Sequence, residues 1–284
     1  MQEISPRIYI ETNYAGVTLG VIKNAHGLVL IDVPFLPQDI RLWRSSLLNM
    51  GGGANRLMVN LDAHYDRTIG ARALDCAIVG HSQMAEEFEN RSVSFKANTP
   101  HVGAEWELYE GVAGVRWAAP EITFSERLTL RWDENPILLN HYPGPTAGSI
   151  WVDLPEEQVL FIGDHVIADQ PPFLADADLS QWIENLDLLM SPKYQDYLIV
   201  SGRSGLIYPE QIGEQKQYLE KVKAALDSQK LEKQTGDRVK KLIPDLLEGF
   251  QIPAKRKVQY ELRLEWGLSQ YIKSHFLQEK AENE

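Results

Sequence analysis

The sequence predicts an α/β protein in which two packed β-sheets carry helices on their outer faces, with a helical C-terminal extension. Three observations lead there. Strand-like runs come in two groups, each followed by helix-like segments. After Pro209 the composition shifts to a tail rich in Lys, Glu, Gln and Leu. No solenoid-length repeat and no low-complexity tract interrupts this order. The expected boundaries are an αββα domain over 1–208 and a helical extension over 209–284 packed on it.

In chain order, Ile8-Tyr9-Ile10 is a short strand, and Val17 to Ile22 is a second. His26-Gly27 turns the chain into a third strand, Leu28 to Asp32, which Pro34 and Pro37 then end. Residues 38–49 place Ile40, Trp43, Leu47 and Leu48 at helical spacing, and Gly51-Gly52-Gly53 stops that helix. Leu57 to Leu61 reads as a buried strand running into the loop 62–68. Residues 82–90 read as a helix, Ile122 to Trp132 as one alternating strand, and Pro136 to His141 as the next. Two further strands are Ser149 to Leu154 and Gln158 to Ile162. Leu179, Trp182, Ile183, Leu186 and Leu189 form one helical face before a last strand at Tyr197 to Val200. The tail reads as helices broken near Pro244 and Pro253, with Leu219, Val222, Leu226, Leu262, Leu264 and Leu268 as their apolar positions. Part of that stripe is a candidate homodimer contact.

Composition narrows the function classes. The 284 residues are 44% hydrophobic and 24% charged, an ordinary globular balance long enough to bury a core without disulfides. The single cysteine, Cys76, excludes an internal disulfide and points to a reducing, cytoplasmic setting. No run approaches the roughly 20 apolar residues of a membrane span, and the first residues carry no signal-peptide pattern. A net charge of −12 argues against nucleic acid and anionic membranes as partners. The Lys-rich run from Lys216 to Lys241 is interleaved with Glu and reads as a solvated helix face.

The sharpest local feature is Asp62-Ala63-His64-Tyr65-Asp66-Arg67, directly after an apolar strand. In an extended loop, residues 62, 64 and 66 would point the same way, bringing two carboxylates and an imidazole together. Such a set suits a divalent metal, or else a solvated turn with a hydrogen-bonded histidine. Tyr65, Trp106, Tyr109 and Trp117 are candidates for a pocket mouth or for packing.

Downstream elements favour the first alternative in origin. The segment resembles the His-x-His-x-Asp-His signature of the metallo-β-lactamase superfamily. Tyr142-Pro143-Gly144-Pro145-Thr146-Ala147-Gly148-Ser149-Ile150 is similar to that family's Pro-Gly-His-Thr-x-Gly-Ser. Val159 to Asp164 is similar to the strand that ends in its bridging aspartate, and Ser201-Gly202-Arg203-Ser204-Gly205 to its Gly-His-Gly turn. Asp178 to Leu189 is similar to the helix after the Gly-Asp strand, and the opening strands with the Asp32 turn fit as well. The resemblance covers residues 4 to 208 and implies a four-layer αββα sandwich with a two-metal site.

Carried over residue by residue, the ligands are mostly gone. The first metal's positions are held by Asp62, His64 and Pro145, and the second metal's by Asp66, Arg67 and Arg203. Asp164 retains the bridging carboxylate, and His64 alone remains of the five histidines the resemblance implies. Proline has no side-chain donor, and a protonated guanidinium has no lone pair for a cation. The expected outcome is salt bridges in place of metals, with Arg67 and Arg203 pairing with Asp66 and Asp164. His81, His141 and His165 are expected in structural roles, with His165 aimed away from Asp164's target, while His26, His101 and His275 lie outside the site region.

Two functions follow. One is a non-catalytic member of the fold without a cofactor, with three roles open to it: binding a small molecule, an anionic one among the candidates, acting as an interaction module, or a role that has drifted. The other is a mononuclear hydrolase of an ester, thioester or lactone, with Asp62, His64 and Asp164 holding one zinc, manganese or iron ion. Metal-free catalysis would use Asp66 or His64 as a base.

Overall fold

A computed structural model describes residues 1–51, 53, 55–92, 94–96, 101–228 and 235–277. Gly52 of the predicted helix stop and residues 229–234 of the Lys-rich run lie outside the described residues. The chain opens with an antiparallel meander: β1 (Gln2–Ser5), β2 (Ile8–Glu11), β3 (Leu19–Asn24) and β4 (Gly27–Ile31). Helix α1 (Pro37–Asn49) starts on Pro37, where a missing N–H costs nothing, and returns the chain to β5 (Arg56–Val59), parallel to β4. A single helical turn, α2 (Tyr65–Thr68), leads to β6 (Ala77–His81), and α3 (Ser82–Glu89) precedes β7 (Ile122–Phe124). These seven strands form one sheet in sequential order, its last four parallel.

The second sheet holds β8 (Arg127–Leu130), β9 (Ile137–His141), β10 (Ile150–Leu154) and β11 (Val159–Phe161), all antiparallel. Helix α4 (Leu179–Leu189) crosses to β12 (Leu198–Ser201), parallel to β11, and β13 (Gly205–Ile207) closes the six-stranded sheet. Asp178 caps α4, its Oδ1 accepting the amides of Ser180 and Gln181 at 3.0 Å each. The tail forms α5 (Pro209–Ser228), α6 (Thr235–Leu247) and α7 (Lys257–Ile272).

Side-chain alternation sorts these strands into layers. Ile8, Ile22, Val29, Ile31 and Val59 meet Leu139, Val152, Leu154, Phe161 and Val200 between the sheets. The opposite face of the first sheet, through Val21, Leu28, Leu30 and Met58, packs on Ile40, Trp43 and Leu47 of α1. The opposite face of the second packs on Trp182 and Leu186 of α4 and on Leu219, Val222, Val239, Leu264 and Leu268 of the tail helices. The result is the four-layer αββα arrangement. Among the described residues, no helix is long and apolar enough to cross a membrane.

Three expectations change. The run Ile122 to Trp132 is not one strand: β7 belongs to the first sheet and β8 to the second. Alternation cannot reveal this switch, because Phe124, Leu128 and Leu130 all face the same inter-sheet core. Pro244 does not break a helix but lies inside α6, near its end. There it removes one late hydrogen bond, offset by burial of Ile243, Leu246 and Leu247. Leu262 is not on the buried stripe and is 36% exposed, whereas Leu264 and Leu268 are buried.

A salt-bridged cluster at the candidate site

The site forms where the strand ends of both sheets meet. Leu61 precedes the site loop, and Asp62 Oδ1 accepts the His64 amide at 2.8 Å, which tightens the loop. His64 then caps α2, its Nδ1 accepting the Asp66 amide at 3.2 Å. The backbone therefore turns helical at Tyr65 instead of staying extended; His64 Nδ1 stays 3.6 Å from Asp66 Oδ2, but Asp62 and Asp66 are bound by different arginines. Asp62 contacts Arg67, whereas Asp66 accepts the Glu105 and Trp106 amides. The side chains of Asp62, Asp66, Arg67, Asp164 and Arg203 are nevertheless gathered into one buried network.

Arg67 is fully buried and faces three carboxylates. Its Nη1 donates to Asp32 Oδ2 at 2.9 Å, and its Nη2 to Asp164 Oδ1. Its Nε lies 3.0 Å from Asp62 Oδ1 at an angle that makes an ion contact but not a hydrogen bond. Burial opposes the charge, but Asp164, Asp62 and Asp32 together raise the guanidinium's pKa above its ordinary value. Gly202 makes this fit possible: a Cβ there would lie 2.6 Å from Arg67 Nη1 and 2.9 Å from Nη2.

Arg203 is the second hub. Nε donates to Asp164 Oδ2 at 2.9 Å, and Nη1 to Asp66 Oδ2 at 2.8 Å and to the Gly16 carbonyl at 3.0 Å. Nη2 lies 2.9 Å from His64 Nδ1. A guanidinium can only donate, so Nδ1 accepts and the imidazole's proton sits on Nε2. Burial first, and then Arg203, hold the His64 pKa down at about 3, so the ring is neutral. Phe173 covers it, with ring centroids 4.4 Å apart.

The carboxylates are differentiated by these partners. Burial alone would raise the Asp164 pKa, but Arg203 and then Arg67 outweigh it and hold Asp164 ionised, well below the usual range. Asp62 is raised to about 7, chiefly by burial and further by Asp164 and Asp32, against the pull of Arg67. Four aspartates face two arginines here, so one carboxyl is a natural place for a proton. Asp66 accepts the Trp106 amide at 2.9 Å, the Glu105 amide at 3.2 Å and Arg203. With three hydrogen bonds on its two oxygens and no exposure, Asp66 is out of reach of a substrate for the role of a base.

Arg67 pairs with Asp164, whereas the arginine that pairs with Asp66 is Arg203. Pro145 is buried and lines a cavity beside His64. The other histidines are engaged elsewhere. His165 lies in a 3-10 turn with Nδ1 near the Ile162 carbonyl at 2.9 Å and Trp151 Nε1 at 3.0 Å. His81 and His141 stack 3.7 Å apart, with Nε2 atoms near the carbonyls of Ser125 and Ala147. Of the four candidate mouth aromatics, Tyr65 lines the cavity and Tyr109 lines a separate polar pocket, while Trp106 and Trp117 pack around Phe95.

A metal does not fit these residues. Asp62, His64 and Asp164 have their lone pairs directed at two guanidiniums and a backbone amide, and two permanent cations lie among them. Among the described residues, no group of three His, Cys, Asp or Glu is arranged to hold an ion. Sequence reasoning did not single out Asp32, Phe173 or Arg263 as site residues. Asp32 carried a signal in its place at a strand end, where it adopts φ +58°. Arg263 carried one as a charge at a core-facing position between Tyr260 and Gly267 of α7.

The family model described as Metallo-beta-lactamase superfamily matches residues 64–201. Among solved structures, a metallo-beta-lactamase from Pontibacter korlensis is 19% identical with a TM-score of 0.62, over 77% of this chain and 97% of its own. A metallo-beta-lactamase family protein from Thermus thermophilus is 16% identical with a TM-score of 0.66, over 96% and 95%. A stereoselective inverting sec-alkylsulfatase from Pseudomonas sp. is 15% identical with a TM-score of 0.68, over 96% of this chain and 50% of its own. No curated protein matches.

Proposed function

We propose that this chain, which has the metallo-β-lactamase fold, serves as a non-catalytic binding protein, with a salt-bridged cluster in place of a dinuclear metal site. The observation that carries this reading is Arg203, whose Nε and Nη1 are bound to Asp164 and Asp66 while Nη2 engages the one remaining ligand histidine. A bound metal would need those same lone pairs and would have to displace a buried guanidinium from three partners. The mononuclear hydrolase alternative requires Asp62, His64 and Asp164 to turn away from Arg67 and Arg203 together. What the fold retains is the cavity beside His64 and Pro145, and this is where a small molecule would bind.

Metal analysis tests the reading. Protein purified without chelator, and again after exposure to zinc, manganese and iron, should carry well below one ion per chain. Two tightly held ions per chain would overturn it, and one tightly held ion would favour the hydrolase.

A further inference from the structure

The cavity beside the cluster has a volume of about 220 Å³ and is walled by His64, Tyr65, Pro145, Phe173, Trp266 and Arg263, among others. Its lining is mostly apolar, and Arg263 is the exception that matters. This arginine rises from α7 and is 1% exposed. Nε donates to the Gly103 carbonyl at 3.0 Å, and Nη1 to Gln170 Oε1 and the Pro171 carbonyl at 2.9 Å each. All three acceptors are neutral. Among the described residues, Nη2 has no hydrogen-bond partner and no carboxylate lies within ion-pair distance of the guanidinium.

The nearby acids are already engaged. Asp66 is bound by Arg203, and Glu105 by both terminal nitrogens of Arg256. Burial, reinforced by Arg203, pulls the Arg263 pKa down to about 10, which leaves it charged at neutral pH. A buried charge without a counter-ion is costly, and one normally finds it paired. Phe173 lies against both arginines, 4.0 Å from the Arg263 Cζ and 4.6 Å from that of Arg203, and is itself part of the cavity wall. The other charges of the lining do not compete. Glu87 is paired with Arg91, Asp176 is exposed to solvent, and His64 is neutral.

We infer that the cavity binds a small organic monocarboxylate with an apolar body, whose carboxylate displaces the Phe173 ring and pairs with Arg263 Nη2. The inference rests on the reading of the chain as a binding protein and adds the ligand's chemistry. A single unpaired guanidinium favours a monoanion over a phosphate dianion, which would also meet the acidic residues at the rim.

Calorimetric titration of the full chain with benzoate, phenylacetate and hexanoate, each against its uncharged primary amide, tests this. At least one acid should bind one-to-one and about tenfold or more tighter than its amide. Arg263→Gln should abolish that preference, and Arg263→Lys should keep part of it. Should Arg263→Gln not fold, the acid-to-amide ratio of the unaltered protein and Arg263→Lys decides. An amide that binds as well as its acid overturns the carboxylate assignment while leaving a binding cavity. Failure of all six compounds to bind overturns the proposal, as does an acid preference that survives Arg263→Gln. The metal analysis separately decides the reading on which it rests.

Discussion

Replacing Arg203 with alanine removes the counter-charge from one side of a buried network. Two carboxyl partners lose it: Asp164 at 2.9 Å and Asp66 at 2.8 Å, with side chains 5% and 1% exposed. A hydrogen bond to a charged group contributes about 1.5–3 kcal/mol. Two such bonds give roughly 3–6 kcal/mol, close to the about 3–5 kcal/mol expected when a buried pair is broken from one side. Asp66 keeps the amides of Glu105 and Trp106, and Asp164 keeps Arg67, so the lower half of that range is expected. Equilibrium urea unfolding at neutral pH measures the loss. Arg127→Ala, at an exposed strand position, should stay within about 0.5 kcal/mol of the unaltered protein. A double-mutant cycle with Asp164→Asn should recover part of the loss, because the second change removes the orphaned charge. A loss for Arg203→Ala below about 1 kcal/mol, or strict additivity in the cycle, would refute the account of the cluster as a charge-balanced core.

Two further outcomes follow from the same geometry. The Asp62 carboxyl is raised to about 7, so the folded chain holds a proton there that the unfolded chain releases near pH 4. Its contribution to stability is therefore present below about pH 4 and lost as pH rises toward 7; Asp62→Asn should remove this slope, gaining a few kcal/mol relative to the unaltered protein between pH 5 and pH 8, roughly, and a difference that stays flat with pH in urea unfolding would contradict the assignment. Gly202→Ala places a methyl 2.6 Å from Arg67 Nη1, which three aspartates hold in place, so a loss near the upper end of the about 1–3 kcal/mol typical of overpacking is expected; an unchanged urea midpoint would show that Arg67 has room to move.

The amino-acid sequence by itself determined the parts of this protein that depend on what a residue type can do. Strand alternation and helical spacing, from Ile8-Tyr9-Ile10 to the Trp182 face, specify two groups of strands with helices between, because each element must bury one face. A proline at 145 and arginines at 67 and 203 cannot ligate a metal in any fold, so the departure from a two-metal site was legible without coordinates. Tertiary structure decided what no local pattern contains. Arg67 reaches back 35 residues to Asp32 and forward 97 to Asp164, so its partners depend on how two sheets meet. The turn of the backbone at His64 gave Asp62 and Asp66 different arginine partners, because a cap hydrogen bond made a helix where alternation alone predicts extension. Arg263 stands beside the cavity only because α7 packs against α6 and the segment at Leu174 and Ala175, 160 residues beyond the Gly103 carbonyl that holds it. Residue type sets which interactions are chemically available; the path of the chain sets which of them are within about 3 Å, and at that distance a charge is either balanced or waiting for a partner.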